Sequence, residues 1–180
     1  MTSIIKADNI STVSGSGNIS VASGTTLYAP GHVIQVVSAI TDTRNTHNNV
    51  GGVYSANIPG VEVTITPKST TSKILIMSTI FAGCNNNNYP GLWDTRLMRG
   101  TTVIEDKFMR HHASASADNS SAGGSASNTF LDLPSTTSAI TYGVQITQRI
   151  SSGNVNVYVN GTQVNGAEGS SSIVAMEIAQ

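Results

Sequence analysis

Residues 139–150, AITYGVQITQRI, place Ile140, Tyr142, Val144, Ile146 and Ile150 on one side of an extended chain. Thr141, Gly143, Gln145, Thr147 and Arg149 fall on the other. Side chains alternate with period two along a strand, so this is a β-strand with one buried face. The device recurs in VEVTIT (61–66), where Val61, Val63 and Ile65 oppose Glu62, Thr64 and Thr66. It recurs again in NVNVYVNG (154–161), with Val155, Val157 and Val159 ahead of Asn160-Gly161. Asn-Gly is the favoured two-residue hairpin turn, and TQV is expected to return after it. No window carries convincing i, i+3, i+4, i+7 helical spacing.

Working outward, KILIMSTIFAG (73–83) is apolar on both faces, as a central strand covered on two sides would be. Further strands are expected at 32–40, 93–100, 101–106, 128–133 and 171–179, with a tight turn at Arg99-Gly100. Eight or more short strands separated by turn signals indicate an all-β sandwich or barrel, and a jelly roll fits the number best. The last strand carries Val174, Met176 and Ile178 on one face and Ile173 and Ala175 on the other. A terminal strand apolar on both faces should be internal or face a symmetry axis.

The first 30 residues differ from the rest. Ile4, Ile5, Ile10, Val13, Ile19 and Val21 are separated by Ser, Gly, Thr and Asn, too thin a pattern for an independent fold. Ordering costs roughly 1–2 kcal/mol per residue, which such a segment recovers only against other chains. The expected organisation is an extended anchoring and trimerisation arm over 1–30 and a jelly-roll β-sandwich over 31–180, with the boundary near Pro30-Gly31.

Composition narrows the function. The hydrophobic share of 38% omits Gly, and the 17 glycines bring it towards the globular norm, so a true core is possible. Charged residues make up 11%, less than half the roughly 25% of an average soluble domain. Ser, Thr, Asn and Gly must therefore keep the surface hydrated. A net charge of −1 with thinly spread Lys and Arg excludes a phosphate-backbone partner. No run approaches 18 apolar residues, so no membrane-inserting helix is expected, and no secretory pattern is visible at the N-terminus. If the protein works outside a cell, release of a virus particle by lysis would reconcile that with the absence. Cys84 is the lone cysteine and can form no intrachain disulfide.

Catalytic signatures are missing: no phosphate-binding loop, nucleophile elbow, zinc-protease helix or EF-hand loop occurs. His111 and His112 are adjacent, so on a strand they point to opposite faces, and the reading preferred for them is a polar loop edge. Asp94, Glu105, Asp106, Asp118 and Asp132 show no spacing that pairs them. Cys84 lacks a basic neighbour and is expected to be inert. No catalytic residue, metal or cofactor is expected.

Two segments are better suited to contacts. CNNNNYPGLW (84–93) joins Asn86, Asn87, Asn88 and Tyr89 to Trp93. Amides donate and accept hydrogen bonds and aromatic faces stack on sugar rings, which suits a glycan or a protein receptor. The bland alternative is a tight Asn-rich turn with Trp93 in the core. KFMRHHASASADNSSAGGSASN (107–128) reads as a long polar insertion between strands, and His111 and His112 lie in it. Loops of that length are usually functional or disordered.

The arm, residues 1–37, resembles the low-charge N-terminal stretches of bacteriophage tail-fibre and head-fibre proteins. The strand series KILIMSTIFAG, WDTRLMRGTTVIED, TFLDLPSTTSAITYGVQI, VNVYVNG and SSIVAMEIAQ resembles phage fibre-tip domains with a tumour-necrosis-factor-like jelly roll. The resemblance covers most of the chain and rests on patterns of moderate specificity. It implies a non-enzymatic homotrimer on the virion exterior, anchored to other virion proteins by the arm and exposing its loops to a host-surface glycan or receptor. The shaft is very short for a tail fibre, which keeps a capsid decoration or cement protein open beside the fibre or spike. A free carbohydrate-binding lectin is the reading from another class.

Overall fold

The alternation is realised as antiparallel sheet. The computed structural model describes residues 29–50, 52–84, 91–113, 122–148, 154–162, 166 and 168–180. The strands are β1 (Val33–Thr41), β2 (Asn45–Val50), β3 (Asn57–Ile65), β4 (Lys73–Cys84), β5 (Gly91–Arg99), β6 (Thr102–Ala113), β7 (Ala122–Asp132), β8 (Ile140–Gln148), β9 (Asn154–Val159) and β10 (Ser171–Ile178). No helix occurs among the described residues. The proposed arm residues Ile4, Ile5, Ile10, Val13, Ile19 and Val21 lie outside them.

One sheet has six strands, with β1-β10-β4-β9-β2 in order and β7 also paired to β4; the other has four, in the order β3-β8-β5-β6. The pairs β1 with β10, β3 with β8, β4 with β7 and β5 with β6 are all antiparallel and nest inside one another along the sequence. This is the double Greek key of a jelly roll, a long hairpin rolled into two facing sheets. Arg99 pairs with Thr102 across the β5–β6 turn, and Gly100 has φ +57, as in a two-residue turn with glycine first.

The core lies between the sheets. Val61, Val63 and Ile65 of β3 meet Ile74, Ile76 and Ile80 of β4, Trp93 and Leu97 of β5, Tyr142, Val144 and Ile146 of β8, and Ile173 and Ala175 of β10. The inward face of β8 is the one its alternation predicts. A polar tie also crosses between the sheets. Arg99 Nη1 donates to both carboxylate oxygens of Asp132 at 3.0 Å, and the Tyr142 hydroxyl donates to Asp132 Oδ2 at 2.6 Å. Asp132 belongs to β7 and the two donors to β5 and β8, so one carboxylate fastens the six-stranded sheet to the four-stranded one.

β4 has two neighbours along one edge. Residues 73–79 pair with β10 and Ala82–Cys84 with β9, while β7 runs along the other edge from Ile74 to Cys84. At the handover the Phe81 N–H donates to Ser171 Oγ, and the Phe81 carbonyl accepts the Asn160 N–H. The Asn160 amide donates to the carbonyls of Thr41 and Thr43 and accepts from Ser171 Oγ at 2.6 Å. Asn160 is fully buried with φ +60, a backbone state that Asn tolerates better than most residues.

Three expectations change. Asn160-Gly161 does not simply turn β9 back on itself: β9 pairs with β2 and β4, and Asn160 is a junction among strands. Gln163 and Val164 of the expected return strand lie outside the described residues. The expected polar insertion 107–128 is mostly sheet, because β6 runs to Ala113 and β7 begins at Ala122. The small residues at the start of β7 pair with Phe81-Ala82-Gly83, and a Cβ at Gly123 would stand 2.9 Å from the Phe81 ring. His111 and His112 therefore sit within β6, opposite Trp93 and Leu92 of β5, rather than on a loop.

Asn160→Ala removes three side-chain hydrogen bonds at a buried site and is expected to cost about 3 kcal/mol or more. Asn160→Gly suits the positive φ but lacks the same bonds, so urea denaturation should find both variants strongly destabilised. A near-wild-type glycine variant would show that the backbone, and not the amide, matters there.

Candidate functional site

The outer faces of the two sheets carry the candidate surfaces, and they differ in chemistry. On the four-stranded sheet, Asn57 of β3 lies opposite Gln145 of β8, and Glu62 opposite Gly143. Positions five apart on β3 match positions two apart on β8, so β3 bulges between them. Arg96 of β5 lies opposite Gln145 on the other side. The outward side chains thus meet across three strands.

They form a directed chain. Arg96 Nε and Nη2 donate to Gln145 Oε1 at 2.8 and 2.6 Å. Gln145 Nε2 donates to Asn57 Oδ1 at 3.0 Å, and Asn57 Nδ2 donates to Glu62 Oε1 at 2.5 Å. A guanidinium that can only donate stands at one end and an ionised carboxylate that can only accept at the other, so both amides are oriented by necessity. The guanidinium also lies 4.2 Å above the centre of the Tyr54 ring, whose hydroxyl donates to Asp106. Burial and Asp106 push the Tyr54 hydroxyl far above its ordinary value, which keeps it protonated as that donor.

This chain borders an open groove of about 510 Å³, floored in part by buried Met98 and walled at one end by the Gly100–Thr101 turn. Gly143 lets it form, since a Cβ there would stand 2.5 Å from Asn57 Nδ2.

On the six-stranded sheet, outward residues line up in rows. Val36, Met176, Leu75 and Leu131 are consecutive register partners across β1, β10, β4 and β7. Ser38, Val174, Met77 and Thr129 form the next row. Val36 is 53% exposed, Ile40 73%, Leu131 43% and Leu133 61%. The strand β10 is internal, as its two apolar faces required, yet its Val174–Met176 face is not covered by any described part of the chain. The same holds for β4: it is central in its sheet, but only its inner face is fully buried.

The contact residues read from the sequence do not gather into one site. Trp93 is fully buried in the core, so the stacking platform expected of it is corrected to a packing role. Asn86, Asn87, Asn88 and Tyr89 lie outside the described residues, and His111 and His112 are placed only as positions on β6. The carboxylates have separate partners: Asp132 holds Arg99 and Tyr142, Glu105 accepts from Asn128, and Asp106 accepts from Tyr54. Among the described residues no three His, Cys, Asp or Glu converge as metal ligands. The groove residues escaped notice because 57 and 145 are 88 positions apart, and only the bulge in β3 brings Glu62 to the same place.

No protein-family model matches the chain, nor does any curated protein. Among solved structures it is similar to the VP2 subviral particle of infectious bursal disease virus, at a TM-score of 0.40 and 14% identity over 91% of this chain and 42% of that one. The structure of the Gx strain of that virus gives 0.38 and 14% over 89% of this chain. The chain thus spans about two-fifths of the length of those structures.

Two outcomes are expected. Gly143→Ala forces Asn57 off its partners and should cost roughly 1–3 kcal/mol, read as a lower urea midpoint. Cys84 is buried, and burial pushes its thiol up from 9.0 to about 12. At pH 8 that leaves about a thousandfold less thiolate than in the unfolded chain, so iodoacetamide should label the native protein far more slowly. Equal labelling rates would mean Cys84 is accessible.

Proposed function

We propose that this chain is a non-enzymatic virion structural protein, a short trimeric fibre or spike on the outside of a phage particle, used in attachment to the host surface. The observation that carries the reading is the apolar outer face of the six-stranded sheet. Four strands present Val36, Met176, Leu75 and Leu131 in one row, with Val174 and Met77 between Ser38 and Thr129 in the row beside it. Val36 and Leu131 at its ends are exposed and the residues between them half-buried, and a contiguous apolar patch of this kind on a protein with so few charges suits an interaction surface. A second and third copy, related by a closed rotation, would bury these rows about a common axis.

The apolar segment 1–30 supplies the anchor in this reading. The first described residues lead the chain into the sheet beside the C-terminal strand. Gly31 N–H donates to the Ala179 carbonyl, and Ala179 N–H donates to the His32 carbonyl. In this reading the arm joins the sandwich beside the end of β10, close to where the copies would meet. The low charge and the many Ser, Thr and Asn side chains suit an exposed particle surface.

Light scattering on the purified chain is expected to give about three times the 18.7 kDa of one chain. Met176→Asp or Val36→Asp should shift that mass to the monomer while leaving the far-ultraviolet β signal intact, since both side chains are outward. A monomeric wild type at micromolar concentration would remove the trimer. Deleting residues 1–28 should leave the sandwich folded and abolish incorporation into particles. Incorporation of the truncated chain would remove the anchor.

A further inference from the structure

We propose that the groove on the outer face of the four-stranded sheet binds a neutral saccharide. In the chain Arg96–Gln145–Asn57–Glu62 each amide donates to one neighbour and accepts from the other, and a guanidinium and a carboxylate stand at its two ends. The hydrogen bonds at Arg96 employ Nε and Nη2, and that at Glu62 employs Oε1. Nη1 and Oε2 take no part in them, leaving one donor group and one acceptor atom along one open groove.

Charge selects the ligand. An anion attracted to Arg96 meets the Glu62 carboxylate along the same wall, and a cation attracted to Glu62 meets the guanidinium. A neutral polyhydroxylated ligand meets neither repulsion, because each hydroxyl can both donate to a carboxylate and accept from a guanidinium. The volume of about 510 Å³ lies within the range of small-molecule sites. Preorganisation is also built in: Tyr54 holds the guanidinium plane, and the two amides have one permitted orientation.

This assignment rests on the attachment role proposed above for its purpose but not for its geometry, so the two fail separately. The mass of the assembly tests the trimer, and saccharide titration tests the groove. The experiment is a titration of the full chain, followed by heteronuclear NMR, with neutral disaccharides of glucose, galactose, mannose and N-acetylglucosamine. Glucuronate and glucosamine serve as charged probes. Saturable shifts are expected at Gln145 and Gly143 with at least one neutral disaccharide.

Glu62→Gln keeps the shape and the acceptor for Asn57 but removes the charge, and Arg96→Lys keeps the charge but loses the fork. Each should weaken binding at least about tenfold, the worth of one charge-assisted hydrogen bond. Unchanged thermal melting of both variants shows that they are folded. Absence of binding by every neutral probe, preference for a charged probe, or undiminished binding by both folded variants would overturn the proposal.

Discussion

The double Greek key depends on how β4 is shared. It is twelve residues long and buried along its inner face, and one edge must serve two partners, β10 for its first half and β9 for its last three residues. Where partners change, backbone groups risk burial without hydrogen bonds, at a cost of about 1–3 kcal/mol each. Asn160 and Ser171 meet that requirement around Phe81, and Asn160 reaches on to the end of β1 and the residues before β2. One amide thereby sets where β1 ends, where β9 ends and where β10 begins.

The two sheets share one core but present opposite chemistry outward. On the four-stranded sheet the outward positions hold Asn57, Glu62, Arg96 and Gln145, linked to one another by hydrogen bonds, and Thr141, bonded to Thr64. On the six-stranded sheet Val36, Leu75, Met77, Leu131, Val174 and Met176 make an apolar area on the outer face, bordered by Ser38 and Thr129 and, one row further, by Thr79 and Ser127, whose hydroxyls share a hydrogen bond. The two outer faces meet water differently. The apolar face gains free energy only when another surface removes it from water, whereas the polar face keeps its water until a ligand matches it. In the fibre reading, assembly and recognition occupy opposite sides and do not compete.

Much of the scaffold was legible in advance because its signal is local. Alternation in 61–66 and 139–150 identifies β3 and β8 and their inward sides, and the two-faced apolar runs at 73–83 and 171–179 identify β4 and β10. Glycine after Arg99 marks the β5–β6 turn. What was missed has weak or contrary local signal. β2, NTHNNV, is polar at five of its six positions, and it is sheet because β9 offers it a ladder. The first half of β7, AGGSAS, reads as loop by composition, yet small side chains are what the neighbouring Phe81 ring admits. Trp93 beside an Asn run resembled a binding aromatic, but its place on β5 turns it to the core.

By itself the sequence determined that this is an all-β chain, which side of its clearest strands is buried, and that its surface relies on amides and hydroxyls instead of charges. These follow from side-chain period and composition, which need no knowledge of neighbours. Only the tertiary structure decided which strands lie together, that Asn160 is a junction and not a hairpin tip, and that Arg96, Gln145, Asn57 and Glu62 form one chain. The reason is distance along the sequence. Partners 49 and 88 residues apart leave no periodic trace, and whether an amide donates or accepts is set by a guanidinium and a carboxylate that only folding brings to its two sides.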